Sequence, residues 1–192
     1  YVVEGGLSGS YLYNNPVNKE DYLKEVFGTI VTRDLIEKYN ISDYRVLQNL
    51  AEYLMDNISN ISSPNNIANI LTSNNISTSH VTTSRYIKFL CNAFLFYKVD
   101  RYDIRGKKYL EALNKYYLVD TGIRYAILGK RNMDWGRVYE NIVYLELLRR
   151  NYRVYIGKLY QKEIDFVAMK ANEKIYIQVC DNITDENTFI RE

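Results

Sequence analysis

Helical spacing of apolar residues dominates the first third of the chain. Apolar positions recur every three or four residues between Asp21 and Tyr39, which predicts a first helix. A second helix is expected to begin at Ser42, with an apolar stripe of Val46, Leu47, Leu50, Leu54 and Ile58. Residues 1–18 are expected to form a loop, because three glycines and Pro16 interrupt them. The chain thus opens with a loop and two amphipathic helices.

Two shorter helices and a β-hairpin are predicted next. Ser63 followed by Pro64 is typical of an N-cap and a first helical turn, and this helix is expected to reach Leu71. Thr78 or Ser79 can cap the following helix. That helix is expected to bury Val81, Ile87, Leu90, Ala93 and Phe94 and to expose His80, Thr82, Thr83, Arg85 and Lys88. Residues 94–102 and 115–119 have strand-like patterns, with a charged segment at 103–108 between them.

Three helices followed by a hairpin are the element order of a winged helix-turn-helix domain, which we predict over residues 45–125. The third of these helices would be the recognition helix, and segment 103–108 would be the wing. Winged helices bind DNA, but they also serve as platforms for other proteins. The order of elements therefore predicts a fold more firmly than a function.

The last third of the chain predicts an α/β unit. Residues 135–150 form a strong helical pattern with Val138, Ile142, Leu145 and Leu148 on its apolar side. Three short strands are expected at 153–156, 163–169 and 174–179. The predicted fold class is α+β: a winged helix-turn-helix followed by a truncated α/β domain. The first residue is Tyr1 rather than Met, so we expect a fragment or a processed product.

Composition narrows the class of protein. The chain has 192 residues, of which 47% are hydrophobic and 25% charged, the usual balance of a folded globular protein. No apolar run reaches the length of a membrane span, so we expect no membrane association. Two cysteines and one histidine exclude a disulfide scaffold and disfavour a zinc site, and free thiols suit the cytoplasm. The 20 tyrosines are interpreted as a compositional bias rather than a binding pattern.

Positive charge is concentrated in the middle of the chain. The formal net charge is −4 over residues 1–60, +9 over 61–158 and −3 over 159–192. A basic segment is a candidate for contact with polyanions, and DNA is the partner we expect. The candidate nucleic-acid-binding residues are Thr82, Arg85, Lys88, Arg105, Lys107 and Lys108. This short polar set contains few groups that read bases, so we expect contacts to phosphates.

Acidic residues of the last third are arranged as in a magnesium-dependent nuclease. Glu140 lies on the predicted helix, and Glu163 and Asp165 lie on the second strand. Two or three carboxylates at such positions can hold Mg²⁺, while a lysine on the next strand positions water. Here the third strand has Gln178, Val179 and Cys180, so the nuclease-like positions Glu140, Asp165, Gln178 and Cys180 are degenerate.

Two interpretations of these carboxylates stay open. Glu140 and Asp165 are candidate metal ligands, and their side chains are then expected about 4–8 Å apart. The structural alternative is that both carboxylates hold the helix to the sheet by hydrogen bonds, and it is the one we favour. Lys158 or Lys162 could replace the missing lysine, although nothing in the sequence selects either of them.

Several spaced motifs resemble the C-terminal region of a large prokaryotic family of predicted AAA ATPases. They are Gly5-Gly6-Leu7, Ile30-Val31-Thr32-Arg33-Asp34, Lys115 to Gly122 (K-x-Y-x-x-D-x-G), Gly136 to Asn141, Tyr144 to Arg150, Lys162 to Phe166 and Ile177-Gln178-Val179. The resemblance implies an ATP-binding P-loop module ahead of this chain. It also implies a winged helix joined to a PD-(D/E)xK nuclease-like, restriction-endonuclease-like fold.

On this resemblance we expect three segments and a regulatory function. Residues 1–20 would be a linker from the ATPase module, 21–125 a helical and winged-helix domain, and 126–192 a truncated nuclease-like domain. The chain would be a DNA-binding module without a cofactor of its own. The alternatives are an active nuclease that uses Mg²⁺ and a platform for protein partners or dimerisation.

Overall fold

The computed structural model describes residues 2–129 and 134–181, without the side chains of Glu111 and Ala112, and shows a mixed α+β protein. The helices are α1 (Pro16–Thr29), α2 (Tyr44–Asp56), α3 (Pro64–Ser73), α4 (His80–Asn92), α5 (Thr121–Leu128) and α6 (Trp135–Arg149). The strands are β1 (Phe96–Asp103), β2 (Lys108–Leu118), β3 (Arg153–Leu159), β4 (Lys162–Lys170) and β5 (Glu173–Ile177). A 3-10 helix (Ser8–Leu12) precedes α1, and a π-helix (Ile30–Glu37) continues it.

Side-chain caps decide where most helices begin. Ser63 caps α3 and Ser79 caps α4, as the sequence predicts, because each hydroxyl accepts a backbone N–H of the first turn. Helix α2 is capped by Asp43 rather than by Ser42. Helix α1 begins before the predicted Asp21, since Asn15 caps it and Pro16 occupies its first position.

One five-stranded sheet contains strands from both sides of the predicted domain boundary at residue 125. Its order is β2-β1-β3-β4-β5, with β1 parallel to β3 and the other neighbours antiparallel. The predicted wing is therefore an edge hairpin of the sheet that β3, β4 and β5 continue. The hairpin is also longer than predicted, because β2 begins at Lys108. The boundary itself stays a prediction, and residues 182–192 of the predicted last domain lie outside the described part.

Two hydrophobic cores lie on opposite sides of the hairpin. The first core contains the buried sides of α2, α3 and α4 and includes Tyr116 of β2. The second contains Tyr144 and Leu147 of α6 packed on Tyr117, Ile156 and Phe166 of the sheet. Adjacent side chains of a strand point to opposite faces, so Tyr116 and Tyr117 enter different cores. Strand β2 therefore joins the helical part of the chain to the sheet part.

The buried sides of α4 and α6 differ from the predicted sides. On α4, Val81 is exposed and Thr83 is fully buried, and Phe94 is exposed just beyond the helix. On α6, Val138 is buried, but Ile142, Leu145 and Leu148 are only half-buried. The buried positions of α6 include the polar residues Glu140 and Asn141. Hydrophobicity alone misplaces such a helix, because its packed face carries polar side chains with partners in the sheet.

Asp120 joins the first residues of the chain to the start of α5. One carboxylate oxygen accepts the backbone N–H of Gly122 at 2.8 Å and caps the helix. The other oxygen accepts the N–H of Gly6 at 2.5 Å and of Leu7 at 3.1 Å. Gly122 leaves room for this approach, since a Cβ there would lie 2.6 Å from the carbonyl oxygen of Glu4. Two motifs more than 100 residues apart thus form one contact.

Two expectations drawn from composition can be compared with the structure. Cys91 and Cys180 are both free thiols, as expected. Within residues 2–129 and 134–181, each helix is too short or too polar to cross a bilayer.

A matched pair of glycine substitutions tests the approach of the N-terminal segment to α5. Gly122→Ala is expected to destabilise the fold by about 1–3 kcal/mol, because the new methyl group would meet backbone atoms. Gly28→Ala in α1 meets nothing within 4 Å and is expected to stabilise by about 0.5–1 kcal/mol, since alanine favours helix. Urea denaturation of both variants measures the difference, and equal effects of the same sign would contradict the close approach.

Candidate functional site

Helix α6 is attached to the hairpin by a two-bond amide contact. Asp134 caps the helix by accepting the backbone N–H of Arg137. Two turns later, the side-chain oxygen of Asn141 accepts the N–H of Leu118 at 2.7 Å, and its nitrogen donates to the carbonyl of Leu118 at 2.9 Å. Both bonds are buried, so they set the position of α6 on β2. The neighbouring Glu140 is thereby placed against the sheet.

A buried lysine of β2 lies among three carboxylates. The Nζ atom of Lys115 is 2.9 Å from Glu140 Oε1, 2.7 Å from Glu163 Oε1 and 3.3 Å from Asp165 Oδ1. Lys115 is only 3% exposed, and Glu140 and Asp165 are buried too. We call these four residues the lysine–carboxylate cluster. It joins β2, α6 and β4, which are far apart in the sequence.

Tyr117 completes the cluster from the same strand as Lys115. Residues two apart on a strand face the same side, so both side chains of this K-x-Y pair point towards α6. The hydroxyl of Tyr117 donates to Glu140 Oε1 at 2.6 Å. Glu140 Oε1 therefore receives hydrogen bonds from both Lys115 and Tyr117.

The segment from Gln178 to Cys180 contacts Asp165 of the cluster through two hydrogen bonds. The side-chain oxygen of Gln178 accepts the backbone N–H of Asp165 at 3.2 Å, so this amide binds β4. The N–H of Val179 donates to Asp165 Oδ2 at 2.9 Å. Cys180 is a half-buried free thiol. Glu140 and Asp165 thus both lie within ion-pair distance of Lys115, whereas Gln178 binds the backbone of its neighbouring strand.

Burial and charge act against each other within the cluster. Burial raises the pKa of Glu140 to about 7, and the opposing effect of Lys115 is smaller. Burial alone would lower the pKa of Lys115, but Glu140 and Glu163 outweigh it, so this pKa is raised. Burial and the nearby Glu140 also raise the pKa of Tyr117. The lysine therefore stays charged, and Glu140 is the group whose protonation changes near neutral pH.

The cluster as folded does not suit the Mg²⁺ that a nuclease-like fold implies. The ammonium group of Lys115 is within ion-pair distance of all three carboxylates, the place that a shared divalent ion would take. Among the described residues, no group of three or more His, Cys, Asp and Glu side chains could hold a metal ion. One oxygen of each carboxylate contacts Lys115, and the same oxygen of Glu140 also accepts from Tyr117.

A basic groove lies between α4 and the base of the hairpin. It has a volume of about 700 Å³, and Arg85 and Lys88 of α4 line it together with Lys98 of β1. Its other lining residues include His80, Val81, Cys91, Asn114 and Tyr116. Among the described residues that line it, none is acidic. Thr82 lies beside the groove, but its hydroxyl accepts from the Ser79 hydroxyl within the helix cap.

A second basic surface lies at the hairpin turn. Arg105, Lys107 and Lys108 are exposed there, and Lys158 of β3 lines the same depression as Arg105 and Lys108. The guanidinium of Arg105 lies 4.9 Å from the ring centre of Tyr160. The carboxylate of Asp103 accepts the backbone N–H of Gly106, and this hydrogen bond lowers the pKa of the Asp103 carboxyl group. The predicted basic residues thus divide between the groove and the turn.

Sequence reasoning missed Lys115 as a site residue. The sequence showed it only as one cation of a basic hairpin and as the first letter of the K-x-Y motif. The spacing of Lys115 and Tyr117 on a strand predicts a shared face, but not that Glu140 would lie opposite. Neither Lys158 nor Lys162, the replacements considered from the sequence, is the lysine that contacts the carboxylates.

Removing the buried cation Lys115 is expected to lower the free energy of unfolding much more than removing an exposed lysine. Lys115→Met leaves three carboxylates without their cation, and a destabilisation of about 3–5 kcal/mol is expected, as for a broken buried ion pair. The control is Lys98→Met on the same hairpin, whose exposed pair with Asp100 contributes about 0–1 kcal/mol. Chemical denaturation measures both. Adding Glu140→Gln to the Lys115→Met variant should recover part of the stability. Similar effects of Lys115→Met and Lys98→Met would contradict a stabilising role of the cluster.

The raised pKa of Glu140 predicts a pH-dependent stability. The folded state holds the proton of Glu140 more tightly than the unfolded chain, where the pKa of this carboxyl group is near 4.5. The stabilisation from protonated Glu140 is therefore fully present below pH 4.5. It is lost as pH rises to about 7, by about 2–3 kcal/mol at most. Glu140→Gln should reduce the fall in stability over this window, measured by denaturation across it. Glu146→Gln is the control, because Arg149 and Arg150 lower the pKa of Glu146 to about 2, and a comparable reduction there would refute the assignment.

Two uncharacterised prokaryotic proteins are similar to this chain. It is 43% identical to an uncharacterised protein of Haemophilus influenzae over 188 residues, covering 98% of this chain and 46% of that protein. It is 27% identical to an uncharacterised protein of Methanocaldococcus jannaschii over 191 residues, covering 97% of this chain and 42% of that protein. The chain thus spans less than half the length of these curated relatives. No solved structure matches it.

A described protein family also matches the chain. The match is to a domain of unknown function, DUF8612, over residues 1–134. It includes α1 to α5 and the hairpin, with Lys115, Tyr117 and Asp120, while α6 and the last three strands follow it. Because this match covers more than half of its residues, the chain belongs to the family of this domain of unknown function.

Proposed function

We propose that this chain is a non-catalytic module that binds the phosphate backbone of duplex DNA. The observation that carries the proposal is the groove between α4 and the hairpin, which Arg85, Lys88 and Lys98 line. Lys98 pairs with Asp100 at 3.0 Å, so Arg85 and Lys88 give the groove its net positive charge. A phosphate backbone is the polyanion that such a groove complements. Arg85 and Lys88 are exposed on the outer side of α4, so their cationic groups are accessible.

The hairpin turn extends the proposed contact along the molecule. Lys98 lines the groove five residues before Asp103, where β1 ends, so the turn begins about 16 Å from the groove at about 3.3 Å per residue. Arg105, Lys107, Lys108 and Lys158 add four cations there. Asp103 lies among them, and Glu163 of β4 lies opposite Lys158. Two separated basic surfaces suit an extended backbone better than a small anion.

Weak sequence preference is part of this proposal. The hydroxyl of Thr82 is engaged in the cap of α4, which leaves long, flexible cations as the main accessible polar groups of that face. Such side chains bind phosphates and carry little information about bases. We therefore expect affinity in the non-specific range, about 10⁻⁴ to 10⁻⁶ M at physiological salt.

The lysine–carboxylate cluster supports a module without nuclease activity. A catalytic metal site needs carboxylates free to bind Mg²⁺ and water. Here Lys115 and Tyr117 both bind Glu140 Oε1, and Lys115 also contacts Glu163 Oε1 and Asp165 Oδ1. We therefore propose that the nuclease-like positions have become structural. Incubating the chain with plasmid DNA and Mg²⁺ should give no cleavage. Cleavage that Glu140→Gln abolishes would overturn this part of the proposal.

We also propose that the module belongs to a longer protein with an ATPase part. The support is the resemblance of its spaced motifs to the predicted AAA ATPase family. The curated relatives have more than half of their length outside the matched region, which is enough for a further domain. ATP would bind in that part and not in this chain.

Fluorescence anisotropy with labelled duplex DNA at low and moderate salt tests the binding. Changing Arg105, Lys107 and Lys108 together to Ala should weaken binding and reduce the salt slope by about 0.9 for each phosphate that the variant no longer neutralises. The matched control changes Lys24, Lys38 and Arg45 to Ala, which removes the same charge from α1, the residue after the π-helix, and α2. Absence of binding at low salt, or equal effects of the two triple variants, would replace the DNA proposal with a platform for protein partners.

A further inference from the structure

We propose that the sheet face opposite α6 binds single-stranded nucleic acid by stacking bases on a cluster of tyrosines. We call this surface the tyrosine face and define it by Tyr102, Tyr109, Tyr155 and Tyr176. The proposal deepens the proposed function and rests on it for the class of ligand. It uses a different set of side chains, however, so the two can fail separately.

Strand register places these tyrosines on one face. Tyr102 of β1 lies opposite Tyr109 of β2. Tyr155 of β3 lies opposite Val167 of β4, which in turn lies opposite Tyr176 of β5. Both neighbours of Tyr155, Val154 and Ile156, pack in the core under α6, so Tyr155 points away from α6. The tyrosine face therefore takes its rings from four of the five strands, and β4 contributes the buried Val167 between Tyr155 and Tyr176.

Three of the rings form a continuous aromatic cluster. The ring centre of Tyr109 is 5.5 Å from that of Tyr102 and 5.0 Å from that of Tyr155, and Tyr102 and Tyr155 are 6.2 Å apart. Tyr102 is buried beneath, whereas Tyr109 is 59% exposed and Tyr176 is 50% exposed. The described part of the chain thus leaves two rings accessible, supported by buried or half-buried ones.

Cations accompany the rings. The Nζ atom of Lys174 lies 5.0 Å from the ring centre of Tyr102. Arg153 is exposed and two residues before Tyr155, so it lies on the same face. Asp100 is a carboxylate near Tyr155, and it pairs with Lys98 at 3.0 Å. Aromatic rings combined with cations form a surface that binds bases by stacking and phosphates by charge.

The exposed groups favour a single strand over other occupants. Tyrosine and arginine are also frequent in protein interfaces, so the cations decide the occupant. Lys174 and Arg153 lie on the same face as the exposed rings and complement the phosphates of a nucleic acid. Duplex DNA keeps its bases stacked inside, so only unpaired bases can lie on Tyr109 and Tyr176. The face also continues towards the basic groove, because Asp100, beside Tyr155, pairs with Lys98 of the groove lining.

Anisotropy titration of the whole chain with labelled oligothymidine of about 15 nucleotides, within the usual range of site sizes, tests the inference. Tyr109→Ala and Tyr176→Ala should each weaken binding at least about fivefold, the effect of removing one stacked base. Tyr109→Phe keeps the ring and should bind like the unchanged protein. Tyr44→Ala removes an equally exposed tyrosine of α2 and should have no effect. Oligouridine should show the same decreases, since stacking does not read the sugar.

Further measurements separate this inference from the proposed function. Circular dichroism confirms that each variant is folded, and duplex binding by Tyr109→Ala and Tyr176→Ala should be unchanged. Unchanged affinity of both alanine variants for oligothymidine would overturn the tyrosine face while leaving duplex binding intact. Failure of the unchanged protein to bind duplex alone would overturn the proposed function instead. If sedimentation shows a dimer that Tyr109→Ala converts to a monomer, the face binds a second copy and the inference is wrong.

Discussion

The burial of Lys115 is the interaction on which the arrangement of this protein depends. An ammonium group removed from water costs several kcal/mol unless close partners compensate it. Glu140, Glu163 and Asp165 provide that compensation from a helix and a strand that follow in the sequence. The requirement to bring all three to one nitrogen fixes α6 and β4 relative to the hairpin. The amide contact of Asn141 with Leu118 reinforces the same placement.

This constraint also shapes what the protein can do. The carboxylates that pair with Lys115 join α6 and β4 to the hairpin, and we propose that this structural role replaces metal binding. The proposed function therefore depends on groups at the surface. There the groove beside α4, the hairpin turn and the tyrosine face present cations and aromatic rings. These groups are the basis of the proposed binding of nucleic acid.

Local structure could be predicted from the sequence because its causes lie within a few residues. Ser63 and Ser79 cap helices by bonding to backbone groups only three positions away. The stripe of α2 is buried as expected, from Val46 to Leu54, because an amphipathic helix needs only a nearby apolar partner. Glu140 and Asp165 were singled out from the placement of acidic residues on a predicted helix and strand, and both contact Lys115 in the structure. The 20 tyrosines, in contrast, gave no pattern in sequence order.

The sequence by itself therefore determined the α+β class, the caps of α3 and α4, and the acidic residues of the cluster. It did not predict α5 (Thr121–Leu128) or the caps of the other helices. Only the tertiary structure decided that β1 pairs with β3 and so unites the hairpin with the last three strands. It also decided that Lys115 is the cation of the cluster, and that α6 buries Glu140 and Asn141 rather than a purely apolar stripe. The physical reason is the separation along the chain of the residues that interact. Caps and helical periodicity depend on residues that are close together in the sequence. Strand pairing, buried charge and a shared tyrosine face depend on residues that meet only after folding.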